Sequence, residues 1–265
     1  MLFRSQNYNG ARHLSYTYTP MRYAWLDLNI NGTRTRKNPI LDKFMQAFRK
    51  WDQRAAARVH QFATISQAVS KRIADAYQRE ARIIYPPVET ERFKPALKRE
   101  NYYITVTRLV AHKRVDMLVQ AFSKLNLPLL VIGDGPELPR LKNMANSNVQ
   151  FLGYQSDEKT AEYLGKARGF VCATEEDFGI AIVEAQAAGC PVIAYGQGGA
   201  LETVIDGVTG IFFSEQSSES LIEALQRFER IHSSFHIPDL VKNSRKFERD
   251  NFINKFKEFV CSHVA

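Results

Sequence analysis

From Asn101 onward the chain alternates short apolar runs with longer amphipathic stretches. Apolar runs rich in β-branched residues and bounded by turn residues read as buried strands. They predict strands over Tyr102–Thr107, Leu129–Gly133, Val149–Gly153, Gly169–Ala173, Pro191–Tyr195 and Gly210–Phe213. Helical spacing between them predicts helices over Val115–Leu125, Glu137–Met144, Asp157–Ala167, Ile180–Ala188, Ala200–Val204 and Ser218–Arg230. This βαβα rhythm predicts an α/β fold, a parallel sheet with helices on both faces. Ligands of such sheets bind beyond the carboxyl ends of the strands. Chemistry is therefore expected in the loops after Thr107, Gly133, Gly153, Ala173 and Tyr195.

Residues 1–92 follow a different pattern. A strand is predicted over His13–Tyr18, a turn at Asn31-Gly32-Thr33, a long helix over Ile40–Val59 and a strand over Gln61–Ile65. Ser66 suits the N-cap of a helix reaching Tyr77, and a last strand, Arg82–Tyr85, runs into Pro86-Pro87. This is too little sheet to close an α/β domain alone. Pro86, Pro87 and Pro95 bracket an extended connector, since proline and the residue before it disfavour helix. The tail, Asn243–Val264, is predicted as one helix with Phe247, Phe252, Phe256 and Phe259 on its apolar side. Three segments follow: 1–92, an incomplete α/β domain; 93–242, a complete one; and 243–265, a helix packing back towards the N-terminal part.

Composition leaves this picture intact. A chain of 265 residues, 45% hydrophobic and 24% charged, can bury a core without staples. Three cysteines, Cys172, Cys190 and Cys261, match no metal or disulfide spacing and point to a reducing, cytoplasmic compartment. The start, Met1-Leu2-Phe3-Arg4, carries no apolar signal core. Charge adds more. Residues 1–100 hold 19 Lys/Arg against 8 Asp/Glu, whereas residues 101–265 hold 17 against 20. The excess is densest from Arg34 to Arg58. It reads either as a surface drawn to anionic lipid or nucleic acid or as a solvated helix face. Nucleic acid is the weaker reading, because aromatics do not interleave with these cations and no reader motif is visible.

Four loops could carry chemistry. Arg108 and Lys113 follow the first strand of the second segment, where two cations can clamp a diphosphate; the same stretch also reads as an ordinary basic loop. Gly133-Asp134-Gly135-Pro136 permits a tight turn into a helix. Gly196-Gln197-Gly198-Gly199 would let backbone N–H groups approach a phosphate, without the Lys-Ser/Thr ending of a Walker loop. Ala173–Ala185 places Glu175, Glu176 and Asp177 at a strand end, then Gly179, then Glu184 inside an apolar helix. A buried glutamate needs a partner, either ligand hydroxyls or an internal Arg or Lys.

Together these loops resemble the retaining GT-B glycosyltransferases of family 4, the group 1 glycosyl transferases, from about Tyr85 to Arg230. Glu176 and Glu184 fit the family's Glu-x7-Glu signature, Arg108 and Lys113 stand where it places its diphosphate-binding pair, and Pro86-Pro87-Val88 before Arg92-Phe93 looks like its hinge. The resemblance implies a Rossmann-like donor domain that transfers a hexose with retention and without metal or other cofactor. Glu176 would then meet the sugar, Glu184 the ribose, Phe178, Gly179 and Ile180 the diphosphate, and Gly153 and Tyr154 the base. Gly133, Gly198 and Gly199 would line the same site. Tyr18-Thr19-Pro20-Met21-Arg22-Tyr23-Ala24-Trp25 looks like bacterial mannosyltransferases of O-antigen and polysaccharide assembly. That implies GDP-mannose as donor, a lipid-linked or saccharide acceptor and a place on the cytoplasmic face of the membrane. Many of those enzymes have histidine where Tyr18 stands. A GT-B enzyme needs two such domains, so the resemblance also implies an N-terminally truncated chain. Such a chain would either transfer the hexose itself or bind nucleotide sugar and need a missing half, or an oligomer, to transfer it.

Overall fold

A computed structural model of the chain describes residues 11–25, 39–96 and 98–264. The turn expected at Asn31–Thr33, the start of the basic stretch at Arg34–Lys37 and the segment Met1–Arg4 lie outside these residues. The chain divides into two compact units, Met1–Pro86 with Asp250–Ala265, and Pro87–Arg249.

The first unit contains β1 (Leu14–Thr17), α1 (Arg22–Trp25), α2 (Pro39–Ala56), β2 (Gln61–Thr64), α3 (Gln67–Tyr77) and β3 (Ala81–Ile83). Its three strands are parallel in the order β1-β2-β3. Ser66 caps α3, its Oγ accepting from Val69 N at 3.1 Å. Asp52 Oδ2 accepts from Trp25 Nε1 at 2.8 Å and from Tyr77 OH at 2.9 Å, tying α1, α2 and α3 together.

The second unit contains β4 (Tyr103–Val106), α4 (Val115–Leu125), β5 (Leu129–Ile132), α5 (Leu138–Met144), β6 (Val149–Gly153), α6 (Asp157–Lys166), β7 (Gly169–Cys172), α7 (Ile180–Ala187), β8 (Val192–Tyr195), α8 (Ala200–Thr203), β9 (Gly210–Phe213), α9 (Ser218–Ile231) and α10 (Ile237–Ser244). Its six strands are all parallel in the order β6-β5-β4-β7-β8-β9. Successive strand residues point to opposite faces. Tyr103, Val171 and Ile193 join α4, α5 and α9 in one core. Ile104, Phe170, Cys172, Val192 and Ala194 join α6, α7 and α8 in the other. Burial of both faces explains why these strands are unbroken apolar runs in the sequence. The expected strands and helices of this unit are all present, with ends that match or differ by one residue.

The tail differs from expectation. The chain forms α10, a 3-10 turn at Arg245–Phe247, an extended Glu248 and then α11 (Arg249–Val264). The break arises because Glu248 forms a parallel bridge with Val88 instead of continuing a helix. Val88 N donates to Phe247 O at 2.8 Å, and Thr90 Oγ1 donates to Glu248 Oε1 at 3.1 Å. Phe247 therefore leaves the predicted phenylalanine stripe and packs against Phe178, with ring centroids 5.2 Å apart. Phe252, Phe256 and Phe259 stay together and close the core of the first unit with Ala63, Ile84, Leu14 and Tyr16. The same bridge explains why the division falls at Pro86, not after Arg92: residues 88–92 are bonded to the second unit.

A buried polar cluster anchors α7. Asn243 Nδ2 donates to Gln186 Oε1 at 2.7 Å and to Thr203 O at 2.8 Å, while Gln186 Nε2 donates to Thr203 O at 2.8 Å. These bonds join α7, α8 and α10 in a region closed to water. Replacing Asn243 with alanine strands Gln186 Oε1 without this donor. The expected cost is about 1–3 kcal/mol, seen as a lower urea midpoint at unchanged slope. A loss below about 0.5 kcal/mol would show that the cluster does not hold α10 in place.

Candidate functional site

Strand order reverses between β4 and β7, so the loops leaving them diverge and open a crevice at their carboxyl ends. The β4 loop is shaped by Gly133. With φ of 130°, a Cβ on Gly133 would lie 1.9 Å from Thr107 O, so only glycine allows these two backbones to touch. Leu109 N then bonds Asp134 O at 2.9 Å, and Glu137 N bonds Leu109 O at 3.0 Å. The loop ends in a 3-10 turn, Ala111–Lys113. Thr174 Oγ1, in the loop after β7, donates to His112 O at 2.9 Å and staples the two sides of the crevice. Across it, Lys113 Nζ donates to Glu176 Oε1 at 2.6 Å, each side chain about a fifth exposed. Beneath them lies Cys172, whose thiol is pushed up to about 12, first by burial and then by the Glu176 carboxylate. It is a neutral floor, not a nucleophile.

The glycine-rich loop after β8 packs closely on the loop that carries Glu176. Gly199 N donates to Glu176 O at 2.7 Å, and Gly198 forms a bridge with Glu176. A Cβ on Gly198 would fall 2.4 Å from Glu176 O, and one on Gly199 2.4 Å from Phe178 Cα. Both glycines therefore serve close packing against the Glu176–Phe178 backbone. Gly179, at φ of 92°, is the N-cap of α7. The N–H groups of the first turn, Ile180 and Ala181, have no intrahelical acceptor and carry the positive end of the helix dipole.

Glu184 lies further along α7 with its side chain 21% exposed. Burial raises its carboxyl pKa from the ordinary value, and Arg92 opposes that rise. Arg92 Nη2 stands 3.7 Å from Glu184 Oε1, while its Nη1 bonds Asp157 Oδ2 at 2.7 Å. Gly133 N donates to Gly153 O at 2.8 Å, and Gly153, at φ of 69°, turns the chain into an exposed Tyr154. Arg108 is exposed and makes no ion pair among the described residues.

The structure thus gathers Lys113, Glu176, Phe178, Gly179, Ile180, Gly198 and Gly199 at the crevice. Gly133, Gly153, Tyr154 and Arg108 line the β4, β5 and β6 ends. Glu184 belongs to a second charged group, with Arg92 and Asp157. The site contacts of Thr174, Arg92 and Asp157 were not foreseen in the sequence, because the partners lie tens of residues away and no local spacing announces them.

A family model described as glycosyl transferases group 1 matches residues 87–246. A GDP-mannose-dependent alpha-(1-6)-phosphatidylinositol monomannoside mannosyltransferase of Mycolicibacterium smegmatis is 33% identical over 178 residues, covering 55% of this chain and 47% of that protein. An uncharacterized glycosyltransferase of Methanocaldococcus jannaschii is 28% identical over 193 residues, covering 70% of this chain and 53% of that protein. The chain spans about half the length of the curated relatives it matches. Sucrose-phosphate synthase from Thermosynechococcus elongatus superposes with a TM-score of 0.76 at 20% identity, over 94% of this chain and 67% of that one. Anabaena HepE, in complex with UDP and glucose, gives 0.72 at 20%, over 85% and 69%. At this identity the likeness is one of fold, the α/β architecture of GT-B glycosyltransferases. Because the family match takes in more than half of the residues, this chain belongs to the glycosyl transferases group 1 family.

Proposed function

We propose that the second unit binds a nucleoside-diphosphate sugar at the carboxyl ends of β4 and β7 and supplies the donor side of a retaining hexosyl transfer. The observation that carries this reading is the Lys113–Glu176 pair facing across the crevice beside the α7 N-terminus. A cation, free helix N–H groups and a carboxylate are the three chemistries a diphosphate linked to a sugar calls for. A bound diphosphate would compete for Lys113 and release the Glu176 carboxylate to accept from sugar hydroxyls. Arg108 would add a second cation. Negative charge grows on the departing diphosphate in the transition state, and two preset cations stabilise it there without a metal. Glu184 would accept from the ribose, and Gly153 and Tyr154 would border the base. Gly198 and Gly199 would act by holding the Glu176 loop.

Mannose from GDP-mannose is the donor favoured by the mannosyltransferase relatives. A lipid-linked or saccharide acceptor at an anionic membrane face is the favoured setting. Its support is α2, which exposes Lys43, Lys50 and Arg54 beside Phe44 and Trp51. Among the described residues no helix is long and apolar enough to cross a membrane. A second reading is that these residues bind the donor without transferring it.

Titration calorimetry with GDP, GDP-mannose and UDP tests the donor site. Saturable binding with guanine preferred is expected; no binding by folded protein would remove the proposal. Glu176→Gln should reduce mannosyl transfer about 10²–10³-fold, the range seen when one transition-state contact is lost. GDP affinity should hold or tighten severalfold, because Lys113 is freed. Equal loss of both would contradict a sugar-facing Glu176. Binding with no transfer by the unaltered chain would favour the second reading. Cosedimentation with anionic and zwitterionic vesicles tests the surface. Binding to anionic vesicles should weaken by about 1 kcal/mol for each of Lys43, Lys50 and Arg54 replaced by glutamine. Equal binding of the triple variant would remove α2 from the role.

A further inference from the structure

The 3-10 turn Thr90–Arg92 enters none of the roles above, yet it carries a guanidinium aimed at the nucleotide side of α7. We propose that Arg92 is a positioning residue for the nucleotide site: clamped between Asp157 and Glu184, it holds the Glu184 carboxylate as a charged acceptor for ribose hydroxyls. This rests on the reading of Glu184 given above.

Three observations carry it. First, Arg92 is fixed independently of Glu184. Its Nη1 bonds Asp157 at 2.7 Å, Glu89 Oε2 lies 3.7 Å away, and its guanidinium sits 5.3 Å from the centroid of the Phe93 ring. The turn itself is anchored through Thr90 Oγ1 on Glu248. Second, the charged groups that face Glu184 are Arg92, Asp157 and Glu89. The two carboxylates disfavour its ionisation, as does burial, so Arg92 is the group that favours it. Third, the separation matters. At 3.7 Å, Nη2 is beyond hydrogen-bond distance of Oε1. A bidentate arginine would occupy the carboxylate's lone pairs. This one lends its charge and leaves both oxygens able to accept hydroxyls. Asp157 opens α6, directly after the Gly153–Tyr154 turn. One guanidinium thus joins the α7 carboxylate to the element that follows the β6 turn.

The consequence is a defined pH dependence. The folded pKa of Glu184 is raised, so its acceptor form is lost on acidification sooner than for an exposed glutamate. Removing the Arg92 charge raises it further, and affinity must then fail at higher pH. The test is GDP titration between pH 5.5 and 8 with wild type, Arg92→Gln, Arg92→Lys and the same changes in a Glu184→Gln background. Ionisation of GDP itself is common to all variants and cancels in the comparison. On acidification from pH 8, the affinity of Arg92→Gln should begin to fall at a higher pH than that of wild type. Arg92→Lys should recover most of that difference. In the Glu184→Gln background Arg92→Gln should leave the profile unaltered, because the titrating group is gone. A wild-type profile for Arg92→Gln would overturn the proposal. So would a uniform loss at every pH with a lowered melting temperature, the mark of a purely structural arginine. Absence of GDP binding by the wild-type chain would instead overturn the donor-site reading on which this one rests.

Discussion

Strands β4 and β7 lie side by side but send their chains to opposite faces of the sheet, β4 towards α4 and β7 towards α7. The two loops cannot both follow the same face, and the space between them is closed to backbone pairing. Whatever fills it must be side chains or ligand. Here it holds a lysine on one lip and a glutamate on the other, with a threonine stapling their loops. Opposite charges at 2.6 Å in a partly dehydrated crevice attract strongly, but both have also given up water. That balance makes the pair a poor source of stability and a ready partner for an anion that brings hydroxyls with it.

The remaining features serve to hold the crevice in shape. Gly133 lets the β5 turn press on the β4 loop, and Gly198 and Gly199 let the β8 turn press on the loop of Glu176. Phe178 is clamped from below by Phe247, and the buried Gln186–Thr203–Asn243 cluster fixes the far end of α7. At the opposite end of these two strands, Arg168 and Tyr103 converge on Glu229. That charge cluster lies at the amino ends of β4 and β7, where this fold places no ligand, and it acts as a structural tie.

The parallel sheet was legible because its strands are buried on both faces and so form unbroken apolar runs in the chain. The Glu176 and Glu184 spacing was legible too, although on residue physics alone each could have been a cap or an internal ion pair. Glu184 does face an internal cation, since Arg92 Nη2 stands 3.7 Å from it. Less legible was anything decided by pairing across the fold. The tail read as one helix because Phe247 fell on the same spacing as Phe252, Phe256 and Phe259. Only the bridge between Glu248 and Val88, 160 residues apart, reveals the break. The packing of the glycine-rich loop on Glu176 and Phe178 was hidden for a related reason. Glycines that admit a ligand and glycines that admit another backbone look the same in a sequence.

Amide hydrogen exchange with and without saturating GDP addresses the central claim directly, because it locates the ligand without disturbing any side chain. The crevice predicts slowed exchange at 108–114, at the end of the β4 loop, and at 176–184, through the first turns of α7, with 153–154 protected beside the base. Protection elsewhere, with these segments unchanged, would contradict it.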